Sequence, residues 1–78
     1  MNAKQKELIN DLYTETKKQF PNIDLINISE SPENPEEIWI NVTSPLNDQV
    51  EYDLISFTSE KSTDILLNYG YNILIMPS

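Results

Sequence analysis

The sequence predicts an α+β fold in a single domain spanning residues 1–78, with a three-stranded mixed sheet of order 1-2-3 and two helices packed on one of its faces. Three observations lead there. Two stretches place apolar residues at helical spacing, and three short stretches alternate apolar with polar side chains or are apolar throughout. The connections between them also differ in length in a way that sets the sense of each strand pair.

Residues 4–19 place Leu8, Ile9, Leu12, Tyr13 and Thr16, with Phe20 just beyond, on one helical stripe, while Lys and Glu fill the other side. The segment "FPN" ends this helix, because the residue before a proline is pushed out of the α region. Residues 23–29, "IDLINIS", are rich in β-branched side chains and form the first strand. Residues 31–37, "SPENPEE", hold two prolines, an asparagine and three glutamates and make a turn. Residues 37–43, "EIWINVT", show the clearest alternation in the chain and form the second strand.

The second helix starts near "SPLNDQVE", where two signals compete. Ser44 with Pro45 suits an N-cap and first turn, and Asp48 with Glu51 resembles a capping box. Val50, Leu54, Ile55, Thr58, Ser62, Ile65, Leu66 and Tyr69 then follow a helical stripe. Gly70, the only glycine in the chain, stands where a left-handed residue ends a helix. Residues 71–76 make the third strand. A short turn between strands one and two predicts an antiparallel hairpin, and a helical crossover of about 25 residues between strands two and three predicts a parallel pair.

Period-two alternation then divides each strand between two faces. Ile26 and Ile28, Ile38, Ile40 and Val42, and Tyr71, Ile73 and Ile75 are assigned to the helices. The opposite face receives Ile23, Leu25, Trp39, Leu74 and Met76, set among Asn27, Asn41 and Asn72. Exchanging the two sets leaves five or more isoleucines exposed, so one apolar face stays open under either assignment.

Charge narrows the partner classes. Residues 1–20 carry a net +1 and residues 21–78 a net −9, with no arginine and five lysines in all. No basic stripe is available for a phosphate backbone, so direct nucleic-acid binding is not expected. The first ten residues hold two lysines and no apolar segment, and no stretch approaches a membrane span. A cytoplasmic location is expected. Without cysteine, no disulfide or thiolate metal site supplements a small core, which leaves oligomerisation as a source of stability.

Chemistry is excluded residue by residue. There is no histidine to act as a general base near neutral pH or as the commonest metal ligand. The single glycine is taken by a helix end, so no phosphate-cradling loop is possible. Glu30, Glu33, Glu36 and Glu37 lack the ligand spacing and turn glycine of a calcium loop and are read as a solvated turn. Asn27-Ile28-Ser29 and Asn41-Val42-Thr43 match the N-glycosylation pattern inside predicted strands of a chain in which no signal peptide is read, and are taken as coincidence. Neither a cofactor nor an enzymatic activity is expected.

The element order, closed by "STDILLNYGYNILIMPS", resembles the core of the minimal nucleotidyltransferases, whose crossover helix ends in a similar Tyr-Gly segment before a strand like "ILIMP". In that family a Gly-Ser motif after the first strand and an Asp-x-Asp pair opening the second hold magnesium and nucleotide phosphates. The corresponding places here read Ile28-Ser29 and Glu37-Ile38-Trp39, so only Ser29 and Glu37 correspond. The resemblance implies a shared scaffold without the family's metal-holding pair.

The expected function is therefore a non-catalytic interaction module. Leu25, Trp39, Asn41, Asn72, Leu74 and Met76 are the candidate partner-binding residues, meeting either a second copy in a homodimer or an unidentified protein. Two alternatives stand beside it. One is an acidic protein of antitoxin or inhibitor type that masks a basic partner surface; the other is a degenerate nucleotidyltransferase-like protein with residual nucleotide binding.

Overall fold

The computed structural model describes residues 2–78. Helix α1 (Ala3–Gln19) is followed by strands β1 (Leu25–Glu30) and β2 (Glu37–Val42), helix α2 (Asp48–Tyr69) and strand β3 (Asn72–Pro77). The sheet order is β1-β2-β3, with β1 antiparallel and β3 parallel to β2. Element order, strand sense and sheet order all agree with the sequence reading.

Each helix is held at its start by an asparagine. Asn2 caps α1, its side chain accepting from the Gln5 amide while the Gln5 side chain accepts from the Asn2 amide. Asn47 caps α2, its side chain accepting from the amides of Gln49 and Val50 at 2.8 and 3.2 Å. Neither of the two expected caps of α2 is used. Asp48 instead lies in the first turn with Glu51, where carboxylates complement the helix dipole. Gly70 ends α2 at φ +75°, its amide donating to the Leu66 carbonyl, as its position in the sequence predicts.

One apolar core joins both helices to one face of the sheet. Leu8, Ile9 and Leu12 of α1, Leu54 of α2, and Ile38, Ile40, Val42, Ile73 and Ile75 of the strands are buried together. Two buried threonines and a serine lie on the inner sides of the helices, and the Thr16 hydroxyl is satisfied by the Leu12 carbonyl at 2.7 Å. The two helices also touch each other, Phe20 meeting Phe57 edge to face at 5.9 Å. The buried stripe of α2 is narrower than the sequence suggests. Leu54, Thr58 and Ser62 face the sheet, whereas Val50, Ile55, Leu66 and Tyr69 are exposed. A helix lying beside a second helix on a sheet this small has only one side to bury.

Strand β1 departs most from expectation. Its register runs Leu25 opposite Val42, then Asn27 opposite Asn41 and Ile28 opposite Ile40, so Ile26 is an extra residue in a β-bulge. Every residue before the bulge is shifted by one in phase. Leu25 consequently lies on the helix side, bordering a groove with Ile9, Tyr13, Ile28 and Ile40, and not on the open face to which alternation assigned it. Ile23, placed on that face with it, is buried in the core just ahead of the strand. Ile26, assigned to the helices, is 51% exposed. The segment leading into β1 is tied to α1, the Lys17 ammonium reaching both the Ile23 carbonyl and the Asp24 carboxylate.

Candidate functional site

The open face is laid out by the strand register. Across one row Ser29 of β1 lies opposite Trp39 of β2, which lies beside Leu74 of β3. Across the next, Asn27 lies opposite Asn41, which lies beside Met76; Glu37 and Asn72 form a third pair toward the hairpin turn. Five of the six predicted partner-binding residues, Trp39, Asn41, Asn72, Leu74 and Met76, are thus brought together, all partly exposed. Leu25 is the one left out.

The face is not uniform from strand to strand. Over β1 it is polar and internally bonded, with the Asn41 side-chain amide donating to Asn27 Oδ1 at 2.6 Å and to Ser29 Oγ at 2.9 Å. Over β2 and β3 three apolar side chains, Trp39, Leu74 and Met76, are adjacent, bordered by Glu37, Asn41 and Asn72. The indole Nε1 of Trp39 is screened from water yet has no acceptor. An unmade bond at a buried donor costs about 1–3 kcal/mol, so the indole is held beneath the face at a cost to stability. Ser29 was not singled out by composition; its alternation with Asn27 along β1 is the signal that places it here.

Charge around the face is one-sided. All five lysines belong to α1 and α2, on the far side of the sheet. The ion pairs among the described residues, Lys4–Glu7, Lys17–Asp24 and Lys18–Glu15, all draw on α1 lysines. Glu30, Glu33, Glu36 and Glu37 at the hairpin end enter none of them. The turn they decorate is held by other groups. Ser31 Oγ accepts from the Glu33 amide, Asn34 Oδ1 accepts from the Glu36 amide, and the Glu37 amide donates to the Asn34 carbonyl. Among the described residues no three His, Cys, Asp or Glu side chains converge to hold a metal. No described helix is long and apolar enough to cross a membrane.

Comparison with known proteins adds nothing to this geometry: no family model, no curated protein and no solved structure matches the chain.

Proposed function

We propose that this protein is a non-catalytic interaction module that works by burying the open sheet face against another polypeptide, a second copy or a different chain. The observation that carries this reading is the apolar cluster of Trp39, Leu74 and Met76 on a parallel strand pair that has helices on only one side. Tryptophan and methionine are enriched where proteins meet, and a contiguous patch of them on a sheet marks an interface core. A scaffold shared with the nucleotidyltransferases is compatible with it, since Ser29 and Glu37 lie on this same face, with Trp39 as the next residue on that face of β2 after Glu37. Nucleotide transfer with magnesium is accordingly not expected, and a transfer activity abolished by Glu37→Gln would contradict the proposal.

Crosslinking in the cells of origin tests the interaction directly. Wild-type protein and Leu67→Asp, altered at an exposed apolar residue of α2 away from the sheet, should give the same specific adduct. Trp39→Asp should lose it while keeping the helical circular dichroism of the wild type. An adduct indifferent to Trp39→Asp, or none at all, would rule out the open face. The acidic-masking reading draws its support from the unpaired glutamates of the hairpin end. It requires an adduct that disappears with rising salt and survives Trp39→Asp.

A further inference from the structure

The two edges of the sheet are finished differently. At the β3 edge Ile73 and Ile75 are buried, and Pro77 ends the strand without an N–H. At the β1 edge Leu25, Ile26 and Ile28 are 45%, 51% and 41% exposed, and nothing pairs with the outer side of the strand. An exposed apolar edge is a template for a further strand, which sheet proteins ordinarily blunt with lysine, proline or a covering element. Strand β1 has neither lysine nor proline, and its bulge and Glu30 blunt only its two ends.

The hydrogen bonds show which backbone groups of β1 are free. The Ser31 amide donates to the Glu37 carbonyl, so Ser31 and, at a period of two, Ser29 and Asn27 turn their backbone groups toward β2. Ile28 and Glu30 turn theirs outward. On the helix side the same edge borders the groove that Leu25 and Ile28 form with Lys6, Ile9 and Tyr13 of α1. Helix α1 runs antiparallel to β1 along this groove. Gln5 shares a cleft with Glu30 at one end, and Lys17 meets Asp24 at 3.4 Å at the other.

We infer that β1 pairs antiparallel with β1 of a second copy, about a two-fold axis that passes through Ile28 normal to the sheet. In that register Ile28 exchanges both backbone bonds with its own copy, Glu30 comes opposite Ile26, and Asn27 comes opposite Ser29. Isoleucine meets isoleucine on the helix side, and amide meets hydroxyl on the open face. The charges also match. Each end of the pairing gathers Lys6 and Glu30 of one copy with Lys17 and Asp24 of the other, two cations with two anions, and among the described residues Lys6 and Glu30 enter no ion pair within their own copy. Pairing two β3 edges would instead set two α2 helices side by side, each carrying five acids against Lys61 alone.

The product is a six-stranded sheet of order β3-β2-β1-β1-β2-β3, with all four helices on one side and the two open faces contiguous on the other. This contact uses a surface separate from the open face and goes beyond the function proposed above.

Sedimentation equilibrium from about 10 μM to about 1 mM should show the 9.0 kDa chain passing to twice that mass and no further. Over the same range the amides of Ile28 and Glu30 should exchange with deuterium at least about tenfold more slowly as the dimer fills. Ile28→Lys and Ile28→Glu each place like charges together at the axis, so each should weaken the dimer by about tenfold or more, and the two mixed should form a heterodimer. Ile26, the exposed bulge residue, lies opposite Glu30 of the second copy, so Ile26→Glu should weaken the dimer and Ile26→Lys should not. The Ile26 pair leaves the groove untouched and is the independent check should a change at Ile28 perturb folding.

A monomer throughout this range would overturn the inference. So would equal dimerisation of Ile26→Glu and Ile26→Lys, or a mass that keeps growing past the dimer, the mark of β1 joining β3 head to tail. A dimer that ignores Ile28→Lys and is lost in Trp39→Asp lies on the open face: the edge inference falls and the interaction reading stands. Crosslinking through the open face is read in the Ile28→Lys background, where the edge dimer is absent, so that each surface can fail alone.

Discussion

The two faces of this sheet are made by the same strands, one residue apart, and they end in different states. On the helix side Ile38, Ile40, Val42, Ile73 and Ile75 are buried. One step along the same strands, Trp39, Asn41, Leu74 and Met76 remain partly exposed. Leu74 is no less apolar than Ile73, so for this pair residue type does not explain the difference. What differs is the supply of covering layers. A chain of 78 residues with two helices has one helical layer to place, and both helices lie in it. Burial in this protein is a property of the layer opposite a residue before it is a property of the residue.

Substitutions on opposite faces should therefore separate sharply. Ile40→Ala empties a fully buried site between sheet and helices and is expected to destabilise by about 2–5 kcal/mol. That is a large share of the roughly 5–15 kcal/mol available to a domain of this kind. Urea denaturation measures it, and a loss under 1 kcal/mol would mean that the helix side is not the core.

The next effect lies at the junction that sets which side of β3 meets the helices. Gly70 is at φ +75° with open space where a Cβ would stand, so only backbone conformation resists substitution there. Gly70→Val should lose about 1–2 kcal/mol, and Gly70→Asn should recover much of it, since asparagine tolerates the left-handed region. Equal stability of all three proteins in chemical denaturation would show that the helix ends differently.

Deleting Ile26 probes how β1 distributes its residues between the faces. The deletion removes the unpaired residue and leaves Leu25 opposite Val42 and Asn27 opposite Asn41 in regular alternation. It should change stability by less than about 1 kcal/mol, whereas deleting Ile28 closes the bulge but brings Asn27 opposite Ile40 on the helix side and Ile26 opposite Asn41 on the open face, and should cost about 1–3 kcal/mol more. Thermal melts of the two deletions decide the matter; a collapse on deleting Ile26 would show that the bulge itself is needed.

The smallest effect is expected on the open face. Trp39→Phe gives up part of the aromatic area and, against that loss, removes the cost of an indole donor that has no acceptor, so the two effects offset and stability should stay within about 0.5 kcal/mol of the wild type. A loss comparable to that of Ile40→Ala would place Trp39 in the core and erase the contrast between the faces.

Much of this contrast was legible before any coordinates, because local patterns carry it. The isoleucines of β2 and β3 alternate with Trp39, Asn41, Asn72, Leu74 and Met76 without interruption, and both strands are regular. Strand β1 lacks that regularity, and alternation alone therefore misplaces its first residues. Ile23 and Leu25 do share a face, as alternation requires, yet it is the helix face. The adjacent apolar pair Leu25-Ile26 was the available sign of a phase change, and it is ambiguous without knowledge of the partner strand. The cap of α2 was missed for a different reason. Ser44, Asn47 and Asp48 are all competent N-caps by type, and only the path of the chain out of β2 selects Asn47.

Alternation and spacing are properties of a few neighbouring residues, and they were sufficient for the kinds of element, their order, the sense of each strand pair and the presence of apolar residues on both sheet faces. The phase of β1, the side that each apolar set occupies and the narrowing of the buried stripe of α2 depend on contacts between residues far apart in the chain. Val42 accepts Leu25 opposite it, and Ile40 accepts Ile28, only if one residue between them is left unpaired. A period of two defines which side chains travel together along a strand but does not say which way they point. That direction is set by the strands and helices that come to lie against it.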